Sequence, residues 1–138
     1  MIVITKRQYE DILIHSQNAL PNEACGLLGG KIEGGNRIVE KVYLLTNIDN
    51  SPEHFSMEPK EQFFAIKDMR SMGCVMLGNF HSHPSSPARP SDEDKKLAFD
   101  GEASYMIISL IEQGNIILKS FKIENNTTIE EKLLIKGE

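Results

Sequence analysis

The chain has 138 residues, 40% of them hydrophobic and 25% charged, the profile of a soluble globular protein with one domain over residues 1–138. Fifteen Lys and Arg against twenty Asp and Glu give a net charge of −5, which argues against a general nucleic-acid binder. No apolar run approaches the ~18 residues needed to cross a bilayer, so no membrane partner is expected.

The first element is a short strand at Ile2–Ile4. Thr5 and Gln8 form a capping box, with Thr5 as N-cap, and Tyr9, Ile12, Leu13, Ala19 and Leu20 recur at helical spacing, predicting an amphipathic helix over 6–19 that ends at Pro21. Two apolar runs, Ala24–Ile32 and Arg37–Leu45, flank Gly34-Gly35 and read as a β-hairpin. Glycines inside the first of these strands cost stability, which points to close backbone approach there. Residues 47–57 are polar and irregular, with Phe55 as an anchor. Pro59 opens a second helix with an apolar stripe of Phe63, Ile66, Met69 and Met72, and Gly73 closes it.

Cys74–Phe80 is nearly continuous apolar sequence, predicting a central strand buried on both faces that runs into His81-Ser82-His83. A loop with Pro84, Pro87 and Pro90 leads to a short helix over Asp92–Phe99. Ser104–Leu110 and Ile116–Ile123 read as strands joined by a turn, and Thr128–Ile135 as a weaker last element. Several strands with two substantial helices predict an α/β (α+β) fold with one sheet flanked by helices. Cys25 and Cys74 lie in apolar surroundings, form no CxxC pair and read as inert core thiols. The N-terminus lacks a signal-peptide layout, so a cytoplasmic protein is expected.

The chemistry concentrates in His81-Ser82-His83-Pro84 followed, six residues later, by Ser91-Asp92-Glu93-Asp94. Side chains at i and i+2 of a strand share a face, so His81 and His83 project together. Two adjacent imidazoles are poor company as cations but suit a shared metal, with Zn–N bonds of ~2.0–2.1 Å. The proline-rich loop can return Asp94 as a third ligand. Three protein ligands leave a fourth position open, as in catalytic zinc sites, where bound water becomes a nucleophile near neutral pH. Glu23, beside small residues at the start of a strand, is the candidate proton shuttle, and Ser91 the candidate hydrogen-bond donor to an oxyanion. Each feature also has a plainer reading. A lone His-x-His arises by chance, Glu23 fits a solvated loop carboxylate, and Ser91-x-x-Asp94 is a helix capping box, which is compatible with Asp94 pointing at a metal. Iron or manganese also fits two imidazoles and a carboxylate, although zinc suits them well.

Taken together, these residues resemble the JAMM (MPN+) metalloprotease family, also called JAB1/Mov34. Its signature is an upstream Glu, then H-[S/T]-H-P, six residues, and S-x-x-D, matched here by Glu23, His81-Ser82-His83-Pro84, Ser91 and Asp94. Pro21–Gly29 and Phe55–Pro59 also resemble family segments, and the likeness spans roughly residues 1–123. The resemblance implies a curved mixed β-sheet flanked by helices, similar to that of cytidine deaminases, although no P-C-x-x-C pair supports deaminase chemistry. It implies one Zn2+ per chain on His81, His83 and Asp94, with Glu23 as general acid/base and Ser91 supporting the tetrahedral intermediate. The chain is close to the bare core of the family and so looks like the small prokaryotic members. These act on the C-terminal tails of ubiquitin-like or sulfur-carrier proteins ending in Gly-Gly, cutting peptide, isopeptide or cysteine adducts. A homodimer is a family-level expectation. The competing reading is a non-catalytic MPN-type protein-interaction module. A third, a DNA-repair protein of the same fold, would need a basic face that the −5 charge does not favour.

Overall fold

The computed structural model describes residues 1–137. The elements run β1 (Ile2–Thr5), α1 (Lys6–Ala19), β2 (Cys25–Glu33), β3 (Asn36–Leu45), α2 (Pro59–Ser71), β4 (Val75–His83), α3 (Asp92–Lys96), β5 (Ser104–Ser109), β6 (Ile117–Glu124), β7 (Thr127–Glu131) and β8 (Leu133–Lys136). One eight-stranded sheet has the order β7-β6-β5-β4-β2-β3-β1-β8. It is mixed, with β1–β3, β1–β8 and β4–β5 parallel and the remaining pairs antiparallel.

β7 and β8 stand at opposite ends of that order, yet only Lys132 separates them in sequence. The sheet must therefore curl until its two ends meet at this segment. The closure leaves no long bare edge, the usual liability of an open sheet. The curved mixed sheet flanked by helices is the architecture expected. The single weak element predicted over Thr128–Ile135 is instead two strands that complete the closure.

Local chemistry sets each boundary. The Thr5 hydroxyl accepts the Gln8 amide at 3.0 Å and the Gln8 carboxamide accepts the Thr5 amide at 2.9 Å, so the predicted capping box starts α1. Gly34 and Gly35 both have positive φ, +57° and +83°, and Glu33 pairs with Asn36, giving the two-residue hairpin turn that such dihedrals favour. Close approach is real at Gly26, where a side chain would collide with the Phe80 ring and the Tyr43 carbonyl, and at Gly78, where it would meet the Ser104 backbone. Gly26 lies on β2 between β3 and β4, and Gly78 lies on β4 where it meets β5.

Three expectations need correction. The predicted stripe of α2 is half met, because Met69 is buried and Ile66 packs partly buried against the same cluster, while Phe63 is 65% and Met72 51% exposed and Ala65, outside the stripe, is buried. Phe63, Phe64, Ala65 and Ile66 are four consecutive apolar residues, so spacing cannot choose the inner face. The choice falls to β2, where Gly29 leaves room for the Met69 side chain. The start of β4 is not buried on both faces, since Val75 and Met76 are exposed and continuous burial begins near Leu77. The third helix stops at Lys96, short of Phe99, which is 87% exposed. Among the described residues no helix is long and apolar enough to cross a membrane.

Candidate active site

β4 extends to His83, so both histidines are strand residues at the C-terminal end of a central strand. His81 pairs with Cys25 of β2 and Ile107 of β5, and His83 with Ser109 of β5. Their alternation places both rings on one face, with centroids 4.9 Å apart. The loop after β4 then turns back and delivers α3. Ser91 caps that helix, its hydroxyl oxygen accepting the Asp94 amide at 3.0 Å, while Asp94 Oδ2 accepts the Ser91 amide at 2.9 Å. The cap holds the Asp94 carboxylate against the histidines.

The result is a tight cluster. His81 Nε2 and His83 Nε2 are 3.0 Å apart and lie 3.1 and 3.2 Å from Asp94 Oδ2. A tetrahedral zinc with bonds of ~2.0–2.1 Å separates its ligand atoms by roughly 3.3 Å, so the triangle matches such a site to within a few tenths of an ångström. His83 Nδ1 donates to the Pro87 carbonyl at 2.8 Å, the outer contact that fixes the tautomer and leaves the Nε2 lone pair facing the cluster. Phe55 stacks on His81 at 4.8 Å and holds that ring from the other side. His81, His83 and Asp94 can hold a metal ion, and their donor set suits one.

The protonation equilibria of the three groups follow from burial and from their bonds to one another. Burial lowers the pKa of His81, favouring the neutral ring that a metal requires. Burial opposes the charge of His83 too, but its bonds to Asp94 and Pro87 outweigh this and its pKa rises. Burial alone would raise Asp94, yet the two imidazoles hold it well below the usual carboxylate range.

Glu23 sits two residues before β2 and is 4% exposed. Its backbone is fixed at both ends, the amide donating to the Ser51 carbonyl at 2.8 Å and the carbonyl accepting from Asn47 Nδ2 at 3.0 Å. Its side chain is not, since Oε1 is buried with no hydrogen-bond partner among the described residues. Burial pushes the carboxyl up to about 8, with His83 pulling the other way and Asp94 adding to the rise. A buried carboxyl with a free oxygen and a pKa near neutrality is placed to exchange protons.

Sequence reasoning did not single out the residues that position Glu23. Ser82 points to the opposite face from the histidines and is fully buried. Its hydroxyl accepts the Ala24 amide at 2.8 Å and its own amide donates to the Ala24 carbonyl at 3.0 Å. Asn47 uses its whole carboxamide. Nδ2 donates to the Glu23 and His54 carbonyls, and Oδ1 accepts the Asp49 and Ser56 amides. A polar residue alternating between two histidines was the available signal for Ser82. Nothing local distinguished Asn47 from any other loop asparagine.

A cavity of about 290 Å3 opens beside the cluster, lined by His81 and Asp94 together with Phe55, Met57, Leu97 and Tyr105. Met57 faces it from an isolated bridge with Asn47. In that bridge the bonds run from the Ile48 amide to the Ser56 carbonyl and from the Glu58 amide to the Thr46 carbonyl. This is the non-hydrogen-bonded type of pair, so the amide and carbonyl of Met57 itself point away from Asn47.

Residues 5–124 match the family described as prokaryotic homologs of the JAB domain, and the chain belongs to that family. Two relatives are the CysO-cysteine peptidase of Mycobacterium tuberculosis (strain ATCC 25618 / H37Rv), 30% identical over 95% of this chain and 88% of its own, and the desampylase of Pyrococcus furiosus, 32% identical over 83% and 76%. Among solved structures, a Desulfitobacterium hafniense protein is 59% identical and superimposes with a TM-score of 0.92 over 100% of this chain and 94% of its own. A JAB1/MPN domain protein from Archaeoglobus fulgidus, at 21% identity, shares the fold, with a TM-score of 0.64 over 99% of both chains.

Proposed function

We propose that this chain is a zinc-dependent metallopeptidase that hydrolyses the C-terminal tail of a ubiquitin-like or sulfur-carrier protein after Gly-Gly, releasing a peptide, an isopeptide-linked group or a cysteine. The observation that carries the reading is the convergence of His81 Nε2, His83 Nε2 and Asp94 Oδ2 within 3.2 Å of one another, with the buried Glu23 nearby. The relatives' names, a CysO-cysteine peptidase and a desampylase, support the peptidase class and the kind of substrate.

His81, His83 and Asp94 would hold the zinc. Bound there, zinc supplies Lewis acidity, able to bring the pKa of water from 15.7 to about 7 and to polarise a carbonyl. Glu23 takes the proton of the attacking water at its free oxygen and returns it to the leaving nitrogen. Its burial raises the carboxyl toward neutrality, the range in which one group can take up a proton and then release it. Ser91 retains a hydroxyl hydrogen while its oxygen caps α3, and that hydrogen donates to the oxygen that gains charge. The tail lies extended beside Met57, whose outward amide and carbonyl add it as a further strand.

The test is intact-mass analysis of a Gly-Gly-ending carrier bearing a C-terminal cysteine or short peptide, incubated with the protein with and without chelator, alongside metal analysis. Chelator-sensitive loss of the extension is expected. An intact substrate with zinc present would redirect the reading to isopeptide conjugates. An intact substrate without zinc binding would favour the non-catalytic module.

A further inference from the structure

Asn79 belongs to the same strand face as the two histidines. A register shift in the β2–β4 pair, between Leu28–Gly78 and Gly29–Met76, leaves Leu77 as an extra residue. Such a bulge re-aims the side chains that follow it. From Gly78 onward the pairing with β5 is regular, so Asn79, His81 and His83 share a face, and Asn79 and His81 both line the cavity beside the cluster. On that face Asn79 stands between Leu27 of β2 and Tyr105 of β5. It is half-buried, and its carboxamide has no hydrogen-bond partner among the described residues.

Other polar groups of the cavity wall are engaged. The Ser56 hydroxyl donates to Asp49 Oδ2, the Tyr105 hydroxyl donates to the Asp100 carbonyl, and His81 Nε2 and Asp94 Oδ2 meet in the cluster. Gln62 also lines the cavity without a partner, but it stands on α2, where glutamine is a favoured residue. Asparagine in a central strand is disfavoured, and a partly buried carboxamide without a partner costs free energy that an apolar side chain beside Leu27 would not. Fold stability therefore does not account for Asn79. Its position does suggest a use. Asn79 lies two strand residues from His81, about 6.6 Å at ~3.3 Å per residue, and an extended peptide rises by the same amount. When the carbonyl of a terminal glycine sits at the cluster, the residue level with Asn79 is the one that precedes Gly-Gly.

We infer that Asn79 binds the main chain of the substrate tail at the residue preceding Gly-Gly, its Oδ1 accepting that residue's amide and its Nδ2 donating to that residue's carbonyl. The inference rests on the proposed peptidase reading for the identity of the tail. Neighbouring residues of an extended chain direct their amides and carbonyls to opposite sides, so Met57 and Asn79 serve adjacent tail residues. A carboxamide matches a peptide group with one acceptor and one donor. Recognition of this kind tolerates any side chain except proline, which lacks the amide, and the apolar walls of Phe55, Leu97 and Tyr105 are left for the tail's side chains.

The experiment measures affinity for a synthetic tail peptide ending in Gly-Gly, by NMR titration of zinc-loaded protein in a Glu23→Gln background. A second peptide replaces the amide NH of the residue before Gly-Gly with an ester oxygen. Asn79→Leu is expected to weaken binding of the amide peptide about tenfold. The ester is expected to cost about tenfold in protein that keeps Asn79 and less than about twofold in Asn79→Leu, the non-additivity of two groups that touch. The melting temperature of Asn79→Leu is expected to equal or exceed that of its parent, with zinc content unchanged. With Glu23 restored and the amide peptide extended by one residue, Asn79→Leu is expected to raise KM about tenfold and to leave kcat within about threefold. Affinity unchanged by the substitution would overturn the inference, as would equal ester losses in both proteins, a fall in melting temperature or zinc content that tracks the loss of affinity, or failure of the parent to bind the peptide. Asn79→Ala runs the same cycle if the leucine variant does not fold. An extended peptide left uncleaved by zinc-loaded wild type, with the ester loss still confined to proteins that keep Asn79, would sink the peptidase reading and leave the tail contact standing.

Discussion

Ser82 and Ala24 exchange two hydrogen bonds, the Ser82 hydroxyl accepting the Ala24 amide at 2.8 Å and the Ser82 amide donating to the Ala24 carbonyl at 3.0 Å. The residue between the two histidines thus grips the neighbour of Glu23. The candidate ligands and the candidate proton shuttle come from segments 58 residues apart, and this pair sets their relative position. Ser82→Ala leaves the Ala24 amide buried and unpaired, which costs about 1–3 kcal/mol. Urea unfolding is expected to show that loss, and kcat to fall by about tenfold, since small displacements of catalytic groups are costly. Zinc content and KM are expected to stay near wild type. A variant with wild-type kcat would show that the exchange supports the fold alone.

Glu23 sets function against stability. Its carboxyl is raised from an ordinary value near 4.5 to about 8, chiefly by burial. The folded state therefore binds this proton more tightly than the unfolded chain. In metal-free protein that advantage is complete below pH 4.5 and is lost as pH rises toward 8. Glu23→Gln removes the titration. Its stability is expected to lack that decline and so to exceed wild type above pH 8, where wild type carries a buried charge and the variant does not. The same variant is expected to keep zinc and lose most turnover. Parallel pH–stability curves for the two proteins, or near-wild-type turnover in the variant, would refute this account of Glu23.

Much of this geometry could be read in the sequence. The i, i+2 spacing of His81 and His83 forces a shared face once the segment is a strand, and Ser91-x-x-Asp94 announces a helix start whose first turn carries the carboxylate. Where the sequence misled, long-range contact decided the outcome. The inner face of α2 is selected by Gly29 on another strand, and four adjacent apolar residues give periodicity no purchase. Strand β7 returns along β6 through the two-residue turn at Asn125-Asn126, a local signal, whereas β8 pairs with β1 at the far end of the chain, a partner that no local pattern can designate. The support of Glu23 by Asn47 depends on a loop conformation built from side-chain to backbone bonds, which leave no periodic trace.

Metal binding is expected to appear as stability. A ligand that binds only the folded state adds about 4 kcal/mol when its free concentration is 1,000 times its Kd. Asp94 is held in its charged form by the two imidazoles, so its contribution is present above ordinary carboxylate pKa values and lost as pH falls further. Zinc is expected to raise the melting temperature at pH 7 and to do so less under acid conditions. His83→Ala is expected to abolish the zinc-dependent increment together with zinc content and activity. A variant that remains zinc-replete and active would remove His83 from the ligand set.

Ser91 tests whether one hydroxyl serves two ends. Its oxygen caps α3 by accepting the Asp94 amide, and its hydrogen is the donor assigned above to the developing oxyanion. Ser91→Ala confounds the two, because losing an N-cap costs ~0.5–2 kcal/mol and loosens Asp94. Ser91→Gly separates them, since glycine is tolerated at an N-cap for a few tenths of a kcal/mol while the donor is deleted. If the donor matters, both variants are expected to lose about 10²-fold in kcat, with zinc retained and only Ser91→Ala clearly destabilised. If Ser91 acts through the cap alone, Ser91→Gly keeps its rate, and the loss in Ser91→Ala follows its lowered stability and weakened zinc affinity. Comparing kcat with zinc affinity across the pair therefore distinguishes a group that touches the reacting atoms from one that only holds Asp94 in place.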